Sequence, residues 1–129
     1  MMDDPRIVIP MLPPIECSPN SRTHWRKKAR TVKVAREIAG WATRAGLNGE
    51  SPGLTRYCGH NPGVVIDIEI AWSGRRKTMD DDNAKAACKA FLDGVSDVLW
   101  SGKDDGVRIG ELRQVRGDGT TTLILRGAA

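Results

Sequence analysis

Residues 63–72 limit the fold more than any other stretch, because their pattern is typical of a half-buried β-strand. The apolar and mixed positions alternate, as Val64, Ile66, Ile68 and Ile70 against Val65, Asp67, Glu69 and Ala71. A period of two places the first set on a buried face of a sheet and the second set on a mixed face. We expect Asp67 and Glu69 to face water or to pair with basic side chains.

The rest of the chain predicts three further strands and two long helices. The strands are predicted at residues 6–12, 107–115 and 120–126, and the helices at residues 24–45 and 84–99. Arg116-Gly117-Asp118-Gly119 is a hairpin turn signal between the last two strands. The order β-α-β-α-β-β predicts an α+β (mixed α/β) fold, with two main helices packed on one mixed sheet. A length of 129 residues without a long linker predicts one domain, residues 1–129.

The first predicted helix is amphipathic and strongly basic. We expect Ser21 or Thr23 to cap it and Gly46 to end it. Its apolar stripe is predicted at Trp25, Ala29, Val32, Ala35, Ala39, Ala42 and Ala45. Its other surface carries Arg22, Arg26, Lys27, Lys28, Arg30, Lys33, Arg36 and Arg44 against the single acid Glu37. Such a surface either faces water or contacts phosphate groups, and the pattern leaves both open.

The second predicted helix begins after an acidic cluster. Asp82 or Asn83 is the predicted N-cap, and Cys88 falls on the apolar stripe, where we expect it to pack in the core. Gly94 lies inside this helix, where glycine costs about 1 kcal/mol relative to alanine. We therefore expect another segment to approach the helix closely at Gly94.

Composition favours a polyanionic partner but does not require one. The net charge is +4, and the three cysteines, Cys17, Cys58 and Cys88, are widely spaced. An odd number of dispersed cysteines favours free thiols in a reducing compartment, and their spacing to histidine matches no compact zinc module. No apolar run approaches the roughly 20 residues that span a bilayer, so we expect no membrane partner.

The acidic cluster Asp80-Asp81-Asp82-Asn83, together with Asp104-Asp105, predicts a metal site. Neighbouring carboxylates oppose each other's ionisation unless a cation joins them. Their hard oxygen ligands suit Mg²⁺, with Mn²⁺ as a substitute. We expect Asp80, Asp82 and Asp105 to converge on one divalent metal, which makes the chain a candidate metal-dependent nuclease.

Lys89 lies seven residues after Asp82, on nearly the same helical face, where it could meet a scissile phosphate. Its spacing equally predicts an ordinary surface pair with Asp93. Two other functions remain open from the residues alone. One is a metal-dependent nucleotidyltransferase with a D-x-D site, although a Gly-rich phosphate loop is lacking. The other is a non-catalytic, structure-selective DNA-binding protein.

Several motifs, spread over nearly the whole chain, resemble the RusA family of Holliday junction resolvases. Near the N-terminus these are Leu12-Pro13-Pro14, the Ser-Pro-Asn-Ser-Arg of residues 18–22, and His24-Trp25 before the basic helix. The most specific part is D-x-D-N at Asp80, Asp82 and Asn83, followed by a lysine, Asp93-Gly94, and Asp104-Asp105-Gly106-Val107.

This resemblance implies a Mg²⁺-dependent endodeoxyribonuclease that acts as a homodimer on four-way DNA junctions. It would make paired nicks with 5′-phosphate and 3′-hydroxyl ends, in recombination or repair, in the cytoplasm of a bacterial or phage-infected cell. Asp80, Asp82 and Asp105 match the catalytic carboxylates. Lys89 matches the catalytic lysine of a longer-spaced branch, and Asp104 matches the less essential member of the aspartate pair.

The chain departs from the family pattern at two positions. Many members have leucine at the position of Ala84 and lysine at the position of Ala86. The lysine role is therefore divided between Lys89, which we prefer, and Lys85, with Asn83 as a further accessory residue. DNA contacts are expected from Arg75, Arg76 and Lys77, and from Arg22, Arg26, Lys27 and Arg30 at the first helix.

Overall fold

The computed structural model describes residues 4–17, 22, 24–74 and 78–127. The strands are β1 (Arg6–Ile9), β2 (Val64–Trp72), β3 (Arg108–Arg116) and β4 (Thr120–Gly127). The helices are α1 (Trp25–Ala45), α2 (Asp81–Ala87) and α3 (Lys89–Leu99), with short 3₁₀ helices at Ile15–Cys17 and Leu54–Tyr57 and a π turn at Gly46–Glu50.

The four strands form one mixed sheet in the order β1-β4-β2-β3. β2 runs parallel to β3, with Val65 opposite Arg108 and Trp72 opposite Arg116. β4 is antiparallel to both β2 and β1. This arrangement confirms the predicted α+β fold with a mixed sheet. β1 ends at Ile9, earlier than predicted, and the next residue, Pro10, has no N–H for the ladder.

The alternation in β2 is also confirmed. Ile66, Ile68 and Ile70 are buried in the core. On the other face, Asp67 accepts hydrogen bonds from the Arg126 guanidinium at 2.8 Å and 3.3 Å, and Arg113 lies 4.0 Å from Glu69. Asp67 also accepts from the Glu111 N–H at 2.8 Å. The hydrogen bond from Arg126 lowers the pKa of Asp67 below its ordinary value.

The second helix differs from the prediction, because it is broken at Cys88 into α2 and α3. Cys88 has φ −84° and ψ −5°, and its N–H points to the carbonyls of both Ala84 (3.1 Å) and Lys85 (3.2 Å). This shared bond tightens the last turn of α2, as is common at helix ends. The N-cap position is Asp80, rather than Asp82 or Asn83. Cys88 is buried as predicted, and burial raises the pKa of its thiol to about 12.

α1 begins at Trp25, one residue later than predicted, and the His24 side chain caps its N-terminus. His24 Nδ1 accepts from the Arg26 N–H at 3.2 Å. The predicted caps Ser21 and Thr23 lie outside the described residues. The predicted apolar stripe is wrong at its first two members, because Trp25 is 67% exposed and Ala29 is exposed as well. α1 ends at Ala45 with Gly46 at its C-cap position, as predicted. Gly46 keeps helical angles, so the chain continues into the π turn, which it leaves at Gly49, where φ is +121°.

α1 packs against α3 at a glycine, as predicted for Gly94. A Cβ on Gly94 would lie 2.2 Å from the Arg36 carbonyl oxygen, so any larger residue would push the two helices apart. Arg36 then holds Asp97 of α3 with two hydrogen bonds, of 2.6 Å and 2.7 Å. These bonds lower the pKa of Asp97 and raise that of Arg36. In the part of the chain that the structure describes, no helix combines the length and apolarity needed to cross a membrane.

Candidate metal and nucleic-acid site

The acidic cluster lies at the exposed N-terminus of α2. Asp80 occupies the N-cap position, while Asp81 and Asp82 form the first turn, where the helix dipole favours negative charge. All three aspartates are exposed. The Asn83 side chain amide donates a hydrogen bond to Asp80 Oδ1. The D-x-D-N motif is therefore one local unit that presents carboxylates to solvent.

Gln114 on β3 anchors this unit through hydrogen bonds of its side-chain amide. Its Oε1 accepts from Trp72 Nε1 at 2.9 Å and from the Met79 N–H at 3.1 Å. Its Nε2 donates to the Met79 carbonyl at 2.7 Å and to Asp81 Oδ1 at 3.1 Å. One amide thus ties the segment before α2 to both parallel strands. Sequence reasoning missed Gln114, because a lone glutamine in a strand pattern carries no signal of this role.

Lys89 is the first residue of α3 and pairs with Asp93, as its spacing predicted. The Nζ–Oδ1 distance is 2.9 Å, and the Lys89 side chain is 67% exposed. Lys89 also lines a cavity of about 220 Å³ between α3 and β3, and Asp104 lines the same cavity. Lys85, the other candidate lysine, is half-buried in α2. The structure therefore brings Lys89 toward Asp104.

The second acidic pair lies in the turn that leads into β3. The Val107 N–H donates to the Asp104 carbonyl at 2.9 Å, and Asp105 is exposed. A Cβ on Gly106 would lie 2.8 Å from the Asn61 carbonyl oxygen, so this turn packs tightly on the segment before β2. Asp105 thus lies beside the start of β2, whereas Asp80 follows its end.

The structure does not bring Asp105 to Asp80 and Asp82 within one chain. Gln114, which binds Asp81, lies six residues along β3 from Arg108, about 20 Å at 3.3 Å per residue, and Asp105 comes before Arg108. A magnesium ion needs its ligand oxygens within about 2.1 Å, so the two acidic pairs cannot share one ion. Within residues 4–17, 22, 24–74 and 78–127, no three His, Cys, Asp or Glu side chains are grouped to hold a metal.

Four of the predicted DNA-contacting residues lie in or just before the first turns of α1. Arg22, Arg26, Lys27 and Arg30 are exposed at the start of α1. The Arg26 guanidinium lies 5.2 Å from the centre of the Trp25 ring. Arg75, Arg76 and Lys77 lie outside the described residues.

The first half of α1 lies near the same end of the strands as the D-x-D-N unit. Thr31 of α1 and Ser73, which follows β2, line one cavity of about 470 Å³ with residues 11–15. The 3₁₀ helix Ile15–Cys17 contacts both α1 and α2. Residues 11–17 therefore connect the first half of α1 to the start of the α2 region.

Comparison with known proteins adds a relative without an assigned role. The chain is 35% identical over 95 residues to an uncharacterized protein of Xylella fastidiosa (strain Temecula1), and this match covers 72% of the chain. The chain spans only 56% of the length of that relative. No protein-family model matches the chain. No solved structure matches it either.

Proposed function

We propose that this protein is a Mg²⁺-dependent endodeoxyribonuclease of the RusA type, which resolves four-way DNA junctions by paired nicks. The observation that carries the proposal is the exposed D-x-D-N unit, which Gln114 fixes beside a basic helix. Exposed carboxylates on a rigid support are suited to a metal, because the ligands must be in position before the ion arrives. A basic surface next to them is suited to the phosphates of the substrate.

The residues of this unit fit a magnesium ion. Mg²⁺ in proteins keeps several waters and often binds through one or two carboxylates together with a substrate phosphate. Asp80 and Asp82 are the two residues that would hold it. When bound, the ion supplies positive charge against a phosphodiester under attack and lowers the pKa of water. Asn83 orients Asp80 through its hydrogen bond.

The third carboxylate, Asp105, is best supplied by a second copy of the chain. Because Asp105 lies at the opposite end of α2 and α3, two antiparallel copies would place Asp105 of one beside Asp80 and Asp82 of the other. A two-fold axis repeats every contact, so such a homodimer has two identical sites. Two sites match the paired cuts that resolution of a four-way junction needs.

Lys89 acts on the phosphate once its surface pair opens. An exposed i,i+4 pair stabilises a helix by only about 0.3 kcal/mol, so a DNA phosphate can replace Asp93 as its partner. The ammonium group then balances negative charge on the phosphodiester as the bond breaks. Arg26, Lys27 and Arg30 hold phosphates further along the DNA arms, so binding should weaken steeply with salt.

Cleavage of a labelled, immobile four-way junction tests this function. With Mg²⁺, wild-type protein should make symmetric nicks on the junction and leave its unassembled duplex arms intact. Asp82→Asn should bind the junction but not cut it, and EDTA should stop the wild type. Glu50→Gln, which removes one exposed acidic charge beyond α1, is the matched control and should cut normally.

Other outcomes would assign a different function. Equal cutting of junction and duplex would leave a nuclease without junction preference. Binding without cutting at any metal concentration would indicate a non-catalytic DNA-binding protein. Nucleotide binding that EDTA abolishes would indicate a metal-dependent nucleotidyltransferase. If Asp82→Asn cut at the wild-type rate, the metal assignment would be wrong.

A further inference from the structure

A groove runs between α1 and α3. It encloses about 300 Å³. The residues that matter here are Lys33, Arg36, Gly40, Trp41 and Arg44 of α1 and Asp97 of α3. We call it the α1–α3 groove. Neither the acidic cluster nor the predicted DNA contacts belong to it.

Trp41 is the apolar wall of the α1–α3 groove, and its side chain is 63% exposed. An exposed indole leaves a large apolar surface in water, and burying apolar surface is favourable by about 25 cal/mol per Å². Aromatic side chains kept on a surface in this way are enriched at binding sites. The indole is therefore available to a flat, partly apolar ligand.

The floor of the groove is open because it is made of glycine. A Cβ on Gly40 would meet its nearest neighbours, Gly94 O and Val98 Cγ2, at 3.7 Å, which is ordinary contact. Helix packing therefore does not require glycine at position 40, whereas it does at Gly94. Glycine inside a helix costs about 1 kcal/mol relative to alanine. The absence of a side chain at Gly40 deepens the groove beside Trp41.

The charges around the indole favour an anion. Arg36 is already neutralised by Asp97 through their two hydrogen bonds. This leaves two exposed cations on the rim: Arg44, one turn of α1 after Trp41, and Lys33, two turns before it with Glu37 in between. An exposed aromatic ring with an arginine one turn away can bind a base together with its phosphate.

We propose that the α1–α3 groove is a stacking subsite for one unpaired nucleotide of DNA, with the base on the Trp41 indole and its phosphate against Arg44. The inference rests on the proposed function, because the nucleotide would belong to the branched DNA that the protein cuts. An unstacked base occurs where strands exchange, whereas intact duplex offers none. The subsite therefore adds affinity for single-stranded or branched DNA over duplex.

Fluorescence anisotropy of a labelled oligothymidylate, measured with EDTA present so that cleavage plays no part, tests the subsite. Trp41→Ala should weaken binding about tenfold, which is the typical effect of losing one base-stacking aromatic. Trp41→Phe keeps an aromatic ring and should stay within about twofold of wild type. Binding to a duplex of equal length should change little in either variant.

Two further variants separate the groove from the rest of α1. Val34→Ala removes another exposed apolar side chain of α1 that does not line the groove, and it should bind as wild type does. Gly40→Ala fills the floor without a steric clash, so it should weaken oligothymidylate binding while the melting temperature holds or rises. Quenching of tryptophan emission by oligothymidylate should be smaller in Trp41→Phe, where exposed Trp25 still contributes.

Equal affinity of wild type and Trp41→Ala for oligothymidylate would overturn the inference. If the junction were still cut in that case, the proposed function would stand without the subsite. If the wild type bound neither junction nor single strand, both proposals would fail. A change in self-association in Trp41→Ala, without a change in DNA affinity, would show that a second copy covers the indole and would also overturn the inference.

Discussion

At the scale of single residues, the arrangement of the acidic cluster depends on Gln114. Its amide group satisfies the indole N–H of Trp72, which is almost fully buried, and both backbone groups of Met79. A buried donor that loses its partner costs about 1–3 kcal/mol. The position of Asp80 and Asp82 is therefore set by a residue far from them in sequence.

Replacing Gln114 by methionine should show this dependence. Methionine nearly keeps the shape of the side chain but removes all four hydrogen bonds. We expect the free energy of unfolding to fall by about 2–3 kcal/mol, as measured by urea denaturation. Junction cleavage should fall more than junction binding, because the carboxylates lose their support. Gln114→Met with unchanged stability and cleavage would contradict this account of the clamp.

Asp67 should make stability depend on pH. Its hydrogen bond from Arg126 lowers its pKa in the folded protein from an ordinary value of 3.8. A lowered pKa stabilises the fold at pH values above the unfolded-state pKa, and this stabilisation is lost as pH falls through the folded-state pKa. Asp67→Asn should therefore be about 1 kcal/mol less stable near pH 7, and the difference should shrink below about pH 4. A constant difference from pH 7 to pH 2.5 would argue against it.

The sequence predicted residue-scale features where a period or a spacing encodes them. The alternation of β2, the burial of Cys88 and the Lys89–Asp93 pair all follow from spacing along one element. Gln114 and the exposure of Trp25 do not. The role of Gln114 depends on a loop that folds back over a strand. The exposure of Trp25 depends on which part of the helix packs on the core. Neither is a local property of the chain.

At the scale of elements, the crossing of α1 and α3 shows two glycines with different roles. Gly94 is required because the Arg36 carbonyl lies against it, while Gly40 has room for a methyl group. The sequence predicted the close approach at Gly94 from its cost inside a helix. The break at Cys88 could not be predicted, because neither proline nor glycine marks it and cysteine has no strong helix-ending tendency.

Alanine at each glycine should therefore change stability in opposite directions. Gly94→Ala forces the helices apart and should lower the free energy of unfolding by about 1–3 kcal/mol. Gly40→Ala should raise it by up to about 1 kcal/mol through helix propensity. Thermal unfolding of both variants beside wild type measures the pair. Similar destabilisation of the two variants would show that Gly40 is also needed for packing.

At the scale of the whole molecule, the parallel pairing of β2 and β3 explains why Asp105 lies apart from Asp80 and Asp82. Two parallel neighbouring strands need a crossover that returns the chain to the end of the sheet where the first strand began. The residues that follow β2 therefore lie at one end of these strands, and the residues that precede β3 lie at the other end. The sequence correctly predicted the fold class, but spacing alone could not show whether the last crossover was parallel, and so Asp105 was expected beside Asp80.

Mixing two inactive variants would show which copy supplies Asp105. In the proposed homodimer, a heterodimer of Asp82→Asn with Asp105→Asn keeps one complete site, made of Asp80 and Asp82 from one copy and Asp105 from the other. The mixture, refolded together, should nick one strand of the junction while each variant alone is inactive. Each heterodimer has one complete site instead of two, so it should nick at about half the rate of the wild-type dimer. The rate of the mixture is this value multiplied by the fraction of heterodimer. A mixture as inactive as its parts would show that each copy uses its own Asp105.

The length of the helix pair α2 and α3 would also set the distance between the two nicks. If every site joins the start of this pair in one copy to its end in the other, the two cutting positions are separated by the end-to-end span of the pair. The interval between the nicks would then be fixed by the number of residues from Asp81 to Leu99, and the acidic motif itself would have no influence on it. Relatives with a longer or shorter crossover would accordingly fit junctions whose strands are opened to a different width.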